Sequence, residues 1–504
     1  MNPQAQIIPL FIIIPLAGAF LTALVRNRLK GAPDLMGFVG TLALLVLSFI
    51  AVRFVAALPP AGVFEYSVGA WRPPVGIALV MDGLTSFMLV TVNLVACLIA
   101  VFSIDYMKRF TSKWKFYTLF LLMLAGMNGV VVTGDLFNLF VFLEIASVAS
   151  YALVAFGTEK EELEAAFKYA LMGTVGSLFI LLGIVFLYSF TSTLNMADMA
   201  RVLATQGHSP IVLLVSVFFL MGFGLKAALV PFHAWLPDAH PSAPAPISAM
   251  LSGVLIKSLG VYALCRIFFN IVGMTPKVSE LFLFLGALSM VIGVFLAIGQ
   301  WDLKRLLAYH SISQIGYVML GLGLATPLGI MAGLFHLFNH SVFKSLLFLN
   351  SGSLEYATGT RDLQKMGGLM QKMPVTGTTS LVASMSIAGV PPFNGFWSKL
   401  LIIVAAVEAG RMGYAFWAVL ASLLTLASFT KVMKYAFFGT VRKAWEGVRE
   451  APVFMRCAMV LLALICVFAG LLVLPAARDA FLSRAADVLT NGLGYSAKVF
   501  TSVV

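Results

Sequence analysis

Apolar runs of about the length needed to cross a bilayer follow one another almost without interruption, at 4–25, 34–57, 77–103, 115–133, 135–156, 166–190, 210–230, 245–270, 279–299, 303–323, 326–350, 376–404, 412–438 and 453–475. About twenty such residues span a hydrocarbon core of roughly 30 Å as a helix. A helix is required because no water is available there to pair exposed backbone groups. The runs leave little room for a separate soluble domain. The charged fraction of 11% is under half of the roughly 25% usual in soluble domains. The expected fold class is an all-α polytopic membrane protein of about fourteen transmembrane helices.

A formal charge of +12 does not point to nucleic acid here, because the basic residues are scattered through short loops with no basic tail or aromatic-interleaved patch. Nineteen of the 33 lysines and arginines, including Arg28, Lys30, Lys108 and Arg361, fall in loops after odd-numbered runs, and eight, including Arg72, fall on the other side. Cytoplasmic loops carry such an excess, so both termini are expected on the non-cytoplasmic side. Cys97, Cys265, Cys457 and Cys466 lie singly in apolar runs, which indicates neither a disulfide framework nor a metal cluster. The first run has no Lys or Arg before Arg26 and reads as a retained span, not a secretory leader.

Four lysines, Lys226, Lys257, Lys344 and Lys399, fall inside apolar runs. Each costs about 2.5–3.5 kcal/mol at mid-membrane on insertion scales, so intramembrane lysines mark ion or proton paths by default. Arg266 and Arg456 lie near run ends, where snorkelling suffices. Between Lys226 and Lys257 stand Pro231, Pro237, Pro241, Pro244 and Pro246. They interrupt the helix, as is tolerated at membrane depth where backbone is buried in protein or lines a polar cavity. Pro391 and Pro392 break the 376–404 run ahead of Lys399 in the same way. The competing reading has the lysines snorkelling from helix ends around ordinary loops. Glu144 lies mid-run in GDLFNLFVFLEIASVASYALVAFG, where a carboxylate needs either a nearby cation or a protonated, hydrogen-bonded packing role. Asp135 and Asp302 read as helix caps.

His336, His340 and Lys344 recur every fourth residue in GLFHLFNHSVFKSLLFLNSG and share one helix face. A zinc pair would need a third ligand, which the segment lacks. A hydrated proton relay suits histidine, which titrates near neutrality; structural histidines are the alternative. His310, in WDLKRLLAYHSISQIGY, echoes Glu144: each stands eight or nine residues after an aspartate, and Tyr151 and Tyr317 follow seven further on. This echo and that of the two proline breaks are each offset by five spans. An odd offset inverts topology, which suggests two inverted five-helix repeats with broken helices 7 and 12. Residues 476–504 read as an amphipathic outer-face tail packing on a neighbour.

The segments GDLFNLFVFLEIASVASYALV, KAALVPFHAWLPDAHPSAPAPISAMLSGVLIKSLGVY, FHLFNHSVFKSLLFL and GVPPFNGFWSK resemble the antiporter-like subunits shared by respiratory complex I, membrane-bound hydrogenases and Mrp-type multisubunit cation/proton antiporters. The phrase LLGIVFLYSFTSTLNMADMA, with the chain's length, is most similar to D-type Mrp subunits. The resemblance implies helices 1–3 over 1–110, a first repeat over 111–272, a second over 273–440, and a last helix with its tail over 441–504. It implies proton translocation through Glu144, Lys226, Lys257 and Lys399, with His310, His336, His340 and Lys344 as relay. It further implies no cofactor or metal, and a prokaryotic cell (inner) membrane as the setting. The expected partners are protons, sodium as the exchanged cation, lipid and other membrane subunits, one of them a homologous antiporter-like chain. The sequence shows no GxGxxG, cysteine ligand set or haem pair. In the alternative reading, a complex I-type or hydrogenase-type pump, partner chains therefore do the electron transfer.

Overall fold

The computed structural model describes residues 3–26, 29, 31–71, 74–110, 112–206 and 210–501. Arg28, Lys30 and Arg72, three of the loop cations that set the expected orientation, lie outside the described residues. The chain is an all-α membrane protein, and among the described residues ten helices are long and apolar enough to cross a bilayer. In chain order the helices are α1 (Leu10–Val25), α2 (Ala32–Ala56), α3 (Gly83–Tyr106), α4 (Lys113–Val132), α5 (Leu136–Val154), α6 (Lys160–Thr191), the short α7 (Met196–Gln206), α8 (Pro210–Lys226) and α9 (Leu236–Ser242). There follow α10 (Ala245–Ile271), α11 (Pro276–Ile298), α12 (Leu303–Gly323), α13 (Pro327–Thr358), α14 (Pro374–Ala388) and α15 (Asn394–Glu408), then α16 (Met412–Phe437) and α17 (Val453–Val473). The tail adds α18 (Ser483–Thr490) and α19 (Tyr495–Thr501).

Both expected breaks are present. Helix α8 stops at Lys226 and α9 resumes at Leu236, with a cis Val230–Pro231 peptide between them; α14 stops at Ala388 and α15 resumes at Asn394, across a cis Pro391–Pro392 peptide. The backbone groups that each break frees find partners inside the bundle. The Trp235 indole N–H donates to the Leu225 carbonyl at 3.0 Å, and the Val230 N–H to Ser289 Oγ at 3.0 Å. The Lys399 ammonium donates to the Ile387 carbonyl at 2.7 Å. Buried polar backbone is thereby satisfied, which is what makes a broken helix tolerable at this depth. Asp135 and Asp302 cap α5 and α12 as expected, accepting from Asn138 N at 2.8 Å and Arg305 N at 2.9 Å.

Three expectations change. The apolar stretch 77–103 does not begin as helix: Ala78–Met81 forms strand β2, paired antiparallel with β1 (Phe64–Ser67), and the helix starts at Gly83 behind its Asp82 cap. A short apolar run reads the same in either state. The tail packs on its own bundle, not on a neighbour: α18 lies against α3 and α13, and α19 against α7. Arg484 donates to the Leu58 and Ala56 carbonyls at 2.9 and 3.2 Å, and Asn270 Nδ2 to those of Val488 and Gly492 at 3.0 and 3.1 Å.

Arg266 does not snorkel. It is buried and donates to Asp82 at 2.7 Å, Thr85 at 2.9 Å and Tyr262 Oη at 3.0 Å. Its helix, α10, is buried throughout its most apolar stretch and stands at the centre of the molecule.

Candidate functional site

Helices α5, α6, α8 and α10 build one end of the site. Lys226 is the last residue of α8, where the unpaired carbonyls of a helix C-terminus favour a cation. Its ammonium donates to Ser147 Oγ at 3.0 Å and Tyr151 Oη at 3.4 Å, both on α5, and stands 3.8 Å from the Glu144 carboxylate. Ser147 follows Glu144 by one helical turn, so both face the lysine. The carboxylate is held by the Ser177 hydroxyl of α6. Lys226 is therefore buried and hydroxyl-bound, while Glu144 keeps 32% of its side chain exposed in an apolar groove lined by Leu119, Phe140, Ile145 and Val148. Behind the lysine, Tyr169 stacks flat on Trp235 with ring centres 4.2 Å apart.

Helix α10 reaches this end at Gly260. A methyl group built there would stand 2.5 Å from the Ala227 backbone nitrogen, so only glycine permits the approach of α10 to the break after Lys226. Gly260→Ala is expected to cost about 1–3 kcal/mol by overpacking, read as a lower unfolding temperature of the detergent-solubilised protein. An unchanged temperature would show that the break yields freely.

Lys257, one turn before Gly260, is fully buried, and its ammonium donates to the Ser252 and Gly253 carbonyls at 2.5 and 2.7 Å. Those carbonyls are available because α10 runs in wide π turns over Leu251–Leu255 and Lys257–Tyr262. Such turns occur frequently at functional sites. Ser252 Oγ then meets Ser311 Oγ of α12 at 2.6 Å.

The far end is built by α12, α13, α15 and α16. His336 bridges Ser398 Oγ at 2.9 Å and Gln314 Oε1 at 3.2 Å. Its ring lies nearly parallel to that of His340, centres 6.4 Å apart. His310 Nε2 meets Ser428 Oγ at 2.8 Å. Lys399 lies over the Tyr317 ring at 4.7 Å besides holding the Ile387 carbonyl. Both ring nitrogens of His340 and the Lys344 ammonium are buried with no hydrogen-bond partner among the described residues.

Six of the eight expected residues, Lys257, His310, His336, His340, Lys344 and Lys399, thus gather in one buried polar neighbourhood, linked by mutual charge effects. The Glu144–Lys226 pair is a separate cluster that touches it through the packing of Ala227 on Gly260. Sequence reading passed over His240, which is fully buried against Phe348 with centres 4.7 Å apart and both ring nitrogens unpartnered among the described residues. Its position in the proline-rich stretch between the two lysines was the available signal. It also passed over Lys304, buried and paired with Glu355 at 2.8 Å, because a loop cation next to a capping aspartate looks solvated. Among the described residues no group of three or more His, Cys, Asp or Glu could hold a metal ion.

Comparison with known proteins agrees with this architecture. A family model described as NADH:quinone oxidoreductase/Mrp antiporter, TM, matches residues 133–425, and one described as NADH-Ubiquinone oxidoreductase (complex I), chain 5 N-terminus, matches 72–117. The chain is 39% identical to NADH-quinone oxidoreductase subunit N of Desulforudis audaxviator, over 88% of this chain and 89% of that protein. It is 35% identical to the D-type subunit of the Na(+)/H(+) antiporter of Alkalihalophilus pseudofirmus, over 86% and 87%. Among solved structures, a chain of the Mrp complex from Dietzia sp. superposes with a TM-score of 0.89 at 27% identity, covering all of both chains. A chain of the membrane-bound sulfane sulfur reductase, an archaeal respiratory complex, gives 0.89 at 30% identity over 98% of this chain and all of that one. The family model covers more than half of the chain, and the relatives match along most of its length. The chain belongs to the NADH:quinone oxidoreductase/Mrp antiporter transmembrane family.

Proposed function

We propose that this chain is the proton-translocating subunit of a multisubunit sodium/proton antiporter, and that protons move along Glu144, Lys226, Lys257, then His310, His336, His340 and Lys344, to Lys399. One observation carries the reading: four buried lysines share a single carboxylate within ion-pair distance among the described residues, that of Glu144. Structural lysines at this depth would each be expected to carry a counterion. Lysines that must load and release a proton need lighter support, and here it comes from hydroxyls, carbonyls and ring faces.

The chain's own groups suggest how the first step works. At 3.8 Å the Glu144–Lys226 pair stands about 1 Å beyond the 2.7–2.9 Å of a charge-assisted hydrogen bond. Ser147 and Tyr151 hold the ammonium in the open position, and Ser177 holds the carboxylate. Closing the gap favours charged Lys226; opening it withdraws that support so the proton can pass toward Lys257 across the Ala227–Gly260 contact. In this reading residues 111–272 and 273–440 form the two inverted units, and both termini lie on the non-cytoplasmic side of a prokaryotic cell membrane. The excess of basic residues in the loops after odd-numbered spans supports that orientation.

A second reading rests on the 39% identity to an NADH-quinone oxidoreductase subunit N. There the same row serves a redox-driven pump whose electron-transfer centres sit in other subunits. Membrane vesicles holding the assembled complex separate the two. An imposed pH gradient that collapses on adding sodium supports the antiporter. A gradient that builds only when a reductant is supplied, with no response to sodium, transfers the row to the redox-driven pump.

A further inference from the structure

Buried helical hydroxyls in this chain commonly donate to the carbonyl four residues back, as Ser48 does to Leu44 at 2.8 Å, Thr91 to Phe87 at 2.8 Å and Thr425 to Ala421 at 2.7 Å. Ser380 and Ser384 of α14 do not. Their hydroxyls are buried, at 4% and 0% exposure, and have no partner among the described residues. On the adjoining α13, Asn350 Nδ2 and Ser351 Oγ are buried and unpartnered in the same way, although Asn350 Oδ1 accepts from Thr379 of α14 at 3.0 Å. Orphaned buried polar atoms cost about 1–3 kcal/mol each, and four along one helix pair call for a shared explanation.

Their spacing supplies one. Thr376, Ser380 and Ser384 succeed one another at four-residue steps, about 6 Å apart along the helix axis. A single water, making hydrogen bonds of about 2.8 Å on either side, spans that distance. Buried waters are held where they find two to four polar partners, as this face offers. The outer end of the face opens to a cavity. Thr376 Oγ donates to Glu450 at 2.6 Å, and Glu450, with Tyr356, Trp445, Arg449 and Pro452, lines a surface pocket of about 440 Å³. The inner end lies at the row: Lys344 precedes Asn350 by six residues on α13, and Lys399 donates to the carbonyl of Ile387, three residues beyond Ser384.

We propose that α14 lines a water file joining the Glu450 pocket, past Thr376, Ser380 and Ser384, to the Lys344 and Lys399 end of the row. This rests on the proton-translocating reading given above and adds an access route to it. A hydronium at the inner end gives its proton to a neutral lysine amine and is left as water; in the reverse direction the ammonium returns the proton to the file. Glu450, half-buried at the mouth, gathers protons from the pocket.

The test uses the assembled complex in membrane vesicles. In the native background, Ser380→Val/Ser384→Val puts methyl groups where the waters would sit, and Ser380→Thr/Ser384→Thr keeps the hydroxyls. The valine pair is expected to lower proton flux at least tenfold and the threonine pair less than threefold, both at parental levels of assembly. In a variant lacking the four native cysteines, Ser384→Cys is expected to react with a small membrane-impermeant thiol reagent applied from the Glu450 side, at ten or more times the rate seen from the opposite side. Undiminished flux in the assembled valine pair overturns the proposal, and so does an unreactive Ser384→Cys. Lys226→Ala in the same vesicles separates this from the parent reading. Flux lost there but intact in the valine pair removes the file and keeps the row. Flux intact in both removes the row as well.

Discussion

Replacing Lys226 with alanine is expected to abolish proton transport by the assembled complex while the complex itself persists. The ammonium is the only cation within ion-pair distance of Glu144 among the described residues, and it stands at the joint where α8 gives way to the broken segment. Two unit charges 3.8 Å apart interact by about 4 kcal/mol at an effective dielectric constant near 20, a switching energy worth nearly three orders of magnitude in an equilibrium. Without the lysine that energy is gone. The fold should survive, because Glu144 is a third exposed and is not left as a stranded buried charge. Glu144→Gln keeps the hydrogen bond from Ser177 and removes only the charge, so transport should fall there too. The measurement is sodium-induced collapse of an imposed pH gradient, normalised to complex seen on a native gel. Transport above half the parental rate in either variant would falsify the switch.

Arg266→Met is expected to lower stability by about 3–5 kcal/mol, the usual result of removing one partner from a buried ion pair. Asp82 is fully buried and would keep its charge with no cation to meet it. The companion variant distinguishes this from lost packing. Arg266→Met with Asp82→Asn removes both charges but keeps a side-chain oxygen to cap Thr85, whose N–H lies 2.8 Å from Asp82. The double variant should recover more than half of the loss, because replacing a buried pair with neutral groups is often nearly neutral. Thermal unfolding in mild detergent reports both. A double variant as unstable as the single one would place the cost in the shape of the arginine, not its charge.

Much of this molecule was legible in its letters because a membrane leaves few alternatives. Apolar length specified the helices, proline clusters located both breaks, and charge inside apolar runs singled out the row. The apposition of Glu144 and Lys226 was inferable because an isolated buried charge needs a partner and few candidates existed. What escaped was whatever depends on distance through space. The partner of Arg266 lies 184 positions away, so its run-end location looked like snorkelling. Strand β2 was taken for the start of a helix because Ala78, Leu79, Val80 and Met81 carry no period to decide it. The carbonyls that hold Lys257 come from wide turns that no residue type announces. The orphaned hydroxyls of α14 look like ordinary small residues until their missing partners are counted.

The contact between Arg266 and Asp82, and the clasp of Arg484 on the end of α2, also set a timetable for making the protein. Asp82 enters the membrane long before its arginine has been translated. At roughly 5–20 residues per second the 184 intervening positions take about 10–40 s, and Arg484 arrives hundreds of residues after the Ala56 and Leu58 carbonyls it holds. The first three helices therefore wait, inserted but unfastened, until the final residues leave the ribosome. A chain that stops early, by a nonsense codon or a stalled ribosome, leaves that outer face open, with unpaired backbone and carboxylate for membrane proteases to find.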